Sequence, residues 1–154
     1  MQGIKLSAVT VLGCSVILAG CFGSNANERF QDCVLEKVTA TTSQTTIDLL
    51  RQTCAKKYQV ALPDEALKKL DGSAGQSMLG FVIHINNRNT NWIVTQVEFY
   101  TEKNASNEKT PYRHELYIEP LHEQGFWPSV PNEPKAGDKF TWGVTKAWGI
   151  PSKE

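Results

Sequence analysis

The apolar residues of this chain change period once along its length, and that change limits the folds open to it. Up to about residue 72 they recur at helical spacing: Phe30, Cys33 and Val34 in one segment, then Ile47, Leu49, Leu50, Cys54 and Tyr58 in the next. Beyond residue 77 they alternate, as Phe81, Ile83, Ile85, then Ile93, Val97, Phe99, then Leu116, Ile118, and finally Phe140, Trp142, Val144 and Trp148. Helices first and strands afterwards, with no helices between the strands, predict an α+β fold: an N-terminal helical hairpin followed by a small antiparallel β-sandwich-like module.

Local signals place the boundaries. The first helix is expected over 28–38, and the Thr- and Ser-rich stretch 39–45 breaks it, with Ser43 or Thr45 capping the second. Lys56 and Lys57 fall in the last turn of that helix, where they suit its dipole. Pro63, Asp64 and Glu65 open a short third helix, with Leu67 and Leu70 as its apolar edge and Gly72 at its end. Residues 72–77 read as a flexible join, which divides a helical part, 28–72, from a β module, 77–150. Strands are expected over 79–85, 92–101, 112–119, 123–127 and 139–148. The turn 86–91 is rich in Asn, a residue that tolerates left-handed backbone angles. The sequon Asn104-Ala105-Ser106 marks an exposed polar loop.

The N-terminus carries a targeting pattern. Lys5 is the sole charge before an apolar run over 6–19, which is shorter than the roughly 20 residues of a spanning helix. The run closes on Leu18-Ala19-Gly20-Cys21. This resembles the signal and lipobox of bacterial lipoproteins. The resemblance implies that residues 1–20 are a leader, that the Cys21 thiol accepts a diacylglyceryl group by thioether formation, and that 21–27 form a short lipidated tether. A lipid bilayer is then the first partner. Each buried methylene contributes about 0.8 kcal/mol, so two or three acyl chains hold a small protein stably. Phe22, rather than Asp, follows the cysteine, which by the same resemblance implies the outer membrane, facing the periplasm.

With Cys14 in the leader and Cys21 acylated, two of the four cysteines remain, Cys33 and Cys54. In an oxidising compartment they are expected to form a disulfide, pinning the hairpin about ten residues from its turn on either side. A redox pair or half of a metal site is the alternative; no Cys-x-x-Cys and no histidine near either thiol favours it.

A second resemblance covers about half of the remaining chain. The run Gly80-Phe81-Val82-Ile83, then Asn86-Asn87, Ile93 and Val97-Glu98-Phe99-Tyr100, is similar to small β-sandwich modules of bacterial envelope proteins, the FxLyD type among them. Thr101 stands where those modules have an aspartate. The resemblance implies a fold and carries no enzymatic activity.

Little in the chain points to catalysis. Sixteen basic and sixteen acidic side chains balance, which argues against a nucleic-acid surface. His84, His114 and His122 show no metal-ligand spacing, and there is no Gly-x-Ser-x-Gly elbow, phosphate loop or dinucleotide fingerprint. No cofactor and no metal are expected. The candidate contact site is Phe126-Trp127, in a segment bounded by Gly125 and Pro128, where a rigid aromatic could anchor an envelope protein or a glycan. The expected function is that of a membrane-anchored, non-catalytic accessory or binding protein. An inhibitor or exclusion factor against an incoming enzyme, toxin or phage is one alternative, and a small hydrolase another.

Overall fold

The computed structural model describes residues 22–39, 41–103, 109, 111–131 and 133–152. The leader, Cys14, Cys21 and the sequon at Asn104 lie outside the described residues.

The chain opens with helices α1 (Phe22–Leu35) and α2 (Gln44–Tyr58). The Ser43 hydroxyl caps α2 by accepting the Thr46 amide at 3.3 Å, and the Thr42 hydroxyl accepts the Thr39 amide at 2.8 Å in the preceding turn. These bonds give the backbone a local alternative to helix, which is why the Thr-rich stretch breaks it. Strand β1 (Val60–Ala61) and the single turn α3 (Asp64–Leu67) follow. Then come β2 (Leu70–Ser77), β3 (Gly80–Asn87), β4 (Trp92–Lys103), β5 (Pro111–Ile118), β6 (Glu123–Phe126) and β7 (Phe140–Pro151).

The strands form two antiparallel sheets, ordered β1-β7-β4-β5 and β2-β3-β6. Between them lies the main core, centred on Phe81, Ile83, Ile85, Val94, Val97, Phe99, Ile118 and Phe126. A second core lies on the other side of the four-stranded sheet, where Ile93 and Ile150 meet Phe30, Cys33, Val34, Cys54 and Ala55 of the helices. The molecule is therefore three layers: helices, four-stranded sheet, three-stranded sheet. The α+β reading holds, and so does the disulfide: Cys33 and Cys54 are bonded, with Cα atoms 5.8 Å apart.

Several local expectations give way to tertiary packing. Helix α1 takes in residues 22–27, which composition assigns to a tether; Ala26 and Asn27 are buried, and the Asn27 amide donates to the Pro151 carbonyl at the end of β7. Residues 70–77 are a strand paired with β3 from Leu70↔Asn87 to Ser77↔Gly80, not a flexible join. A Cβ on Gly72 would lie 1.9 Å from the His84 carbonyl oxygen, so small residues there permit close strand approach. Leu49 falls off the apolar face of α2 and is exposed.

Two bulges re-aim the long strands. The register shift at Val94/Gln96 makes Thr95 an extra residue in β4, and the one at Glu98/Phe99 does the same for Thr145 in β7. A bulge reverses the inward and outward alternation beyond it. Ile93 consequently faces the helices while Val94, Val97 and Phe99 face the sandwich. Trp148 no longer shares a face with Phe140, Trp142 and Val144; the Arg113 guanidinium stacks over its ring at 5.0 Å.

The Asn-rich turn works through side chains rather than left-handed angles. Among the described residues, Leu121 alone of the non-glycines has positive φ, at 62°. The Asn87 amide donates to the carbonyls of Trp92, Ile118 and Glu119 at 2.7–3.2 Å, and its oxygen accepts from Asn89.

Candidate functional site

Strand β6 decides the fate of the Phe126-Trp127 pair. The register Ile83↔Phe126 aims Phe126 into the sandwich, where it is 4% exposed, edge-on to Phe99 at 5.8 Å and stacked on the His114 ring at 4.0 Å. Phe126 is a core residue and leaves the candidate contact site. Trp127, the next residue, alternates outward and is 54% exposed. Its Nε1 points at the Ser77 hydroxyl, 3.5 Å away, so the indole reaches over the outer side of the three-stranded sheet. That side is the one remote from the helices, since the helices cover the opposite sheet.

Small residues stand among the outward positions of the sheet around Trp127. They include Ser73, Gly75 and Ser77 on β2 and Gly125 on β6, and the His84 ring lies against Gly125. Two more large apolar side chains stand exposed nearby: Met78 and Leu79, at the tip of the β2–β3 hairpin. The turn does not need them. Gly80, at φ 114°, supplies the unusual backbone angle, and the Ser77 hydroxyl both accepts the Leu79 amide at 3.2 Å and donates to the Gly80 carbonyl at 2.8 Å. Periodicity reads Leu79 as the start of a strand, so the sequence hides this exposed tip.

Three concavities lie elsewhere, between the helices and the four-stranded sheet or its β5–β6 edge, and all border on Tyr117. One of about 440 Å³ is lined by Asp48, Arg51, Tyr117, Glu119, His122 and Glu123. A second, of about 390 Å³, lies under the helical hairpin among Phe30, Val34, Val38, Ile47 and Ile93. A third, of about 270 Å³, is bordered by Lys56, Gln59, Thr95 and Glu115. Among the described residues, no serine, threonine or cysteine lines the 440 Å³ concavity. Burial raises the Tyr117 phenol above its ordinary range.

Two further titratable groups have displaced equilibria, Glu98 and His114. Glu98 is nearly buried on the outer side of β4. Burial pushes its pKa up, but bonds from Arg113 at 3.2 Å and Thr145 at 3.2 Å, and the Lys146 charge at 3.4 Å, outweigh it and hold the carboxyl below the ordinary glutamate value. Burial lowers the pKa of His114, against the opposing charge of Glu115. The three histidines stay apart: His84 over Gly125, His114 on Phe126, and His122 in the β5–β6 turn with Nδ1 2.8 Å from the Pro120 carbonyl oxygen. Among the described residues no three His, Cys, Asp or Glu side chains gather as a metal site would require.

Comparison with protein-family models, with curated proteins and with solved structures finds no match to this chain.

Proposed function

We propose that this chain is a lipid-anchored protein of the bacterial envelope that works by binding rather than by catalysis. Acylated Cys21 holds it on the membrane, most simply the outer membrane facing the periplasm, and a contact face centred on Trp127 engages another envelope component. The observation that carries this reading is the position of Trp127. A large rigid aromatic stands more than half exposed on one outer face, while the helical layer that continues from the anchor covers the opposite side of the stack. Such a layout turns the helices toward the bilayer and the tryptophan away from it. An aromatic of this kind buries large area at low entropic cost, which is why tryptophan dominates binding hot spots.

The test is crosslinking in intact cells followed by mass spectrometry, comparing the wild type with Trp127→Ala. The reading expects a discrete partner set that the variant recovers about 30-fold less well, as loss of a 2 kcal/mol hot spot requires. It also expects an unchanged melting temperature. An identical partner set would remove Trp127 from the contact face, and an unfolded variant would assign it to the fold instead.

A further inference from the structure

We infer that strand β2 is a dimerisation edge, through which two copies of this chain join their three-stranded sheets into one six-stranded sheet. In the order β2-β3-β6, no strand among the described residues pairs with the outer side of β2. The register fixes which groups lie there. The Phe81 amide is taken by Glu133 at 2.7 Å and the Asn87 amide by the His122 carbonyl at 2.9 Å, both away from β2. Their partners Gln76 and Leu70 therefore also point their backbone groups away from the β2–β3 ladder, and so do Gly72 and Ala74 between them.

Among the described residues the other strand edges are short or defended, β6 by having only four residues, and this one is neither. Strand β7 carries Lys146 and a bulge at Thr145. Strand β5 begins at Pro111 and has its Tyr117 amide covered by the Gln124 side chain at 3.2 Å. Strand β1 has only two residues. Strand β2 runs eight residues in unbroken register without proline, lysine or arginine, a combination that invites pairing.

The composition of the edge favours a second copy as the occupant. Its one charge, Asp71, is already paired to Arg88 of the same chain at 2.5 Å. A two-fold axis at Ala74 sets Ala74 against Ala74, Ser73 against Gly75 and Asp71 against Ser77, so no like charges meet. The same operation lays Met78 of each copy beside the half-buried Leu70 of the other, and Leu79 beside the stem of Lys69. Two exposed apolar side chains are thus covered at both ends of one ladder. An axis through antiparallel strands of one sheet stands normal to that sheet. Both helical layers therefore end on the same side, and both N-termini can enter one bilayer.

The experiment uses the full-length lipid-anchored protein in membranes. Ser73→Cys combined with Gly75→Cys places facing thiols on a non-hydrogen-bonded pair, and a Cβ at Gly75 meets nothing within 4 Å. The expected result is a band of twice the chain mass on a non-reducing gel, collapsing on reduction. Each single variant stays at one chain mass, because its thiols lie about two residues out of register, beyond disulfide reach. In detergent, light scattering should give a protein mass of two chains for the wild type and one for Ala74→Pro, which removes the amide at the axis without touching the β3 ladder. If Ala74→Pro unfolds on melting, the paired cysteines decide. A wild-type mass of one chain, no crosslink, or a crosslink to a chain of another size each overturns the proposal. None of these outcomes depends on the partner of Trp127.

Discussion

The side-chain amide of Asn89 donates to the Asn87 side-chain oxygen at 2.9 Å, with both residues fully buried at one end of the sandwich. The second proton of Asn89 Nδ2 reaches the Ala66 carbonyl at 3.0 Å, so the pair ties α3, the β3–β4 turn and the β5–β6 turn together. Asn87→Asp keeps the shape but loses the donor and leaves a carboxylate facing three carbonyls. We expect a loss of about 3 kcal/mol or more, read from urea unfolding. A loss below 1 kcal/mol would mean that the turns are held by something else.

Gly149 and Gly75 should respond oppositely to alanine. At Gly149 a Cβ would stand 2.2 Å from the Ile93 carbonyl oxygen, a backbone atom that cannot swing aside. Gly149→Ala should cost about 3 kcal/mol, whereas Gly75→Ala, in open space, should be neutral or gain about 0.5 kcal/mol. Thermal melts of the two variants side by side check the contrast, and equal effects would count against the close β4–β7 approach.

Reduction should loosen the helices before the sandwich. The Cys33–Cys54 bridge closes a loop of sequence separation 21, which the chain-entropy account credits with about 3 kcal/mol. The main core contains neither cysteine. Hydrogen exchange after mild reduction should therefore rise first in α1 and α2, while β3 and β4 stay protected. Simultaneous loss of protection throughout would show one cooperative unit instead.

Stability should fall with acid in two separate limbs. His114 has a folded pKa below its ordinary 6.5, so as pH drops through that value the unfolded chain takes up a proton first. Stability declines from there down to the folded pKa and then levels; His114→Leu should flatten this limb. Glu98 has a folded pKa below 4.5, so its contribution is present above 4.5 and vanishes as pH falls through the folded value. Glu98→Gln should flatten only the lower limb. Denaturant titrations at stepped pH read both, and a variant that alters the wrong limb would refute the assignment.

Leu121 holds φ 62° while its amide serves the Asn87 carbonyl at 2.9 Å. Its side chain is exposed, so glycine there would lose little packing and relieve the backbone. Leu121→Gly should be at least as stable as the wild type and gain up to about 1 kcal/mol, a sign opposite to that of an ordinary Leu→Gly change. A melt that shows clear destabilisation would assign the leucine a packing role.

Much of the fold was legible because period is a local property. The alternation at Phe81, Ile83 and Ile85 and the helical spacing at Phe30, Cys33 and Val34 match their buried faces. What escaped depends on pairing between distant segments. A single inserted residue at Thr95 and another at Thr145 reverse faces without disturbing the apolar count, so simple alternation puts Trp148 on the wrong face. Strand β2 has too few apolar residues to announce itself and exists because β3 lies beside it. Of the candidate site, the exposure of Trp127 was legible from its Gly- and Pro-flanked segment. Phe126 was not, because only its pairing with Ile83 shows which way it points.

The claim on which the functional reading rests is that Cys21 is a lipid attachment point. Intact-mass spectrometry of the protein purified from bacterial membranes tests it directly. The account predicts a chain beginning at Cys21 and carrying acyl chains on that residue, whereas a free thiol at Cys21, or a chain that retains residues 1–20, would contradict it.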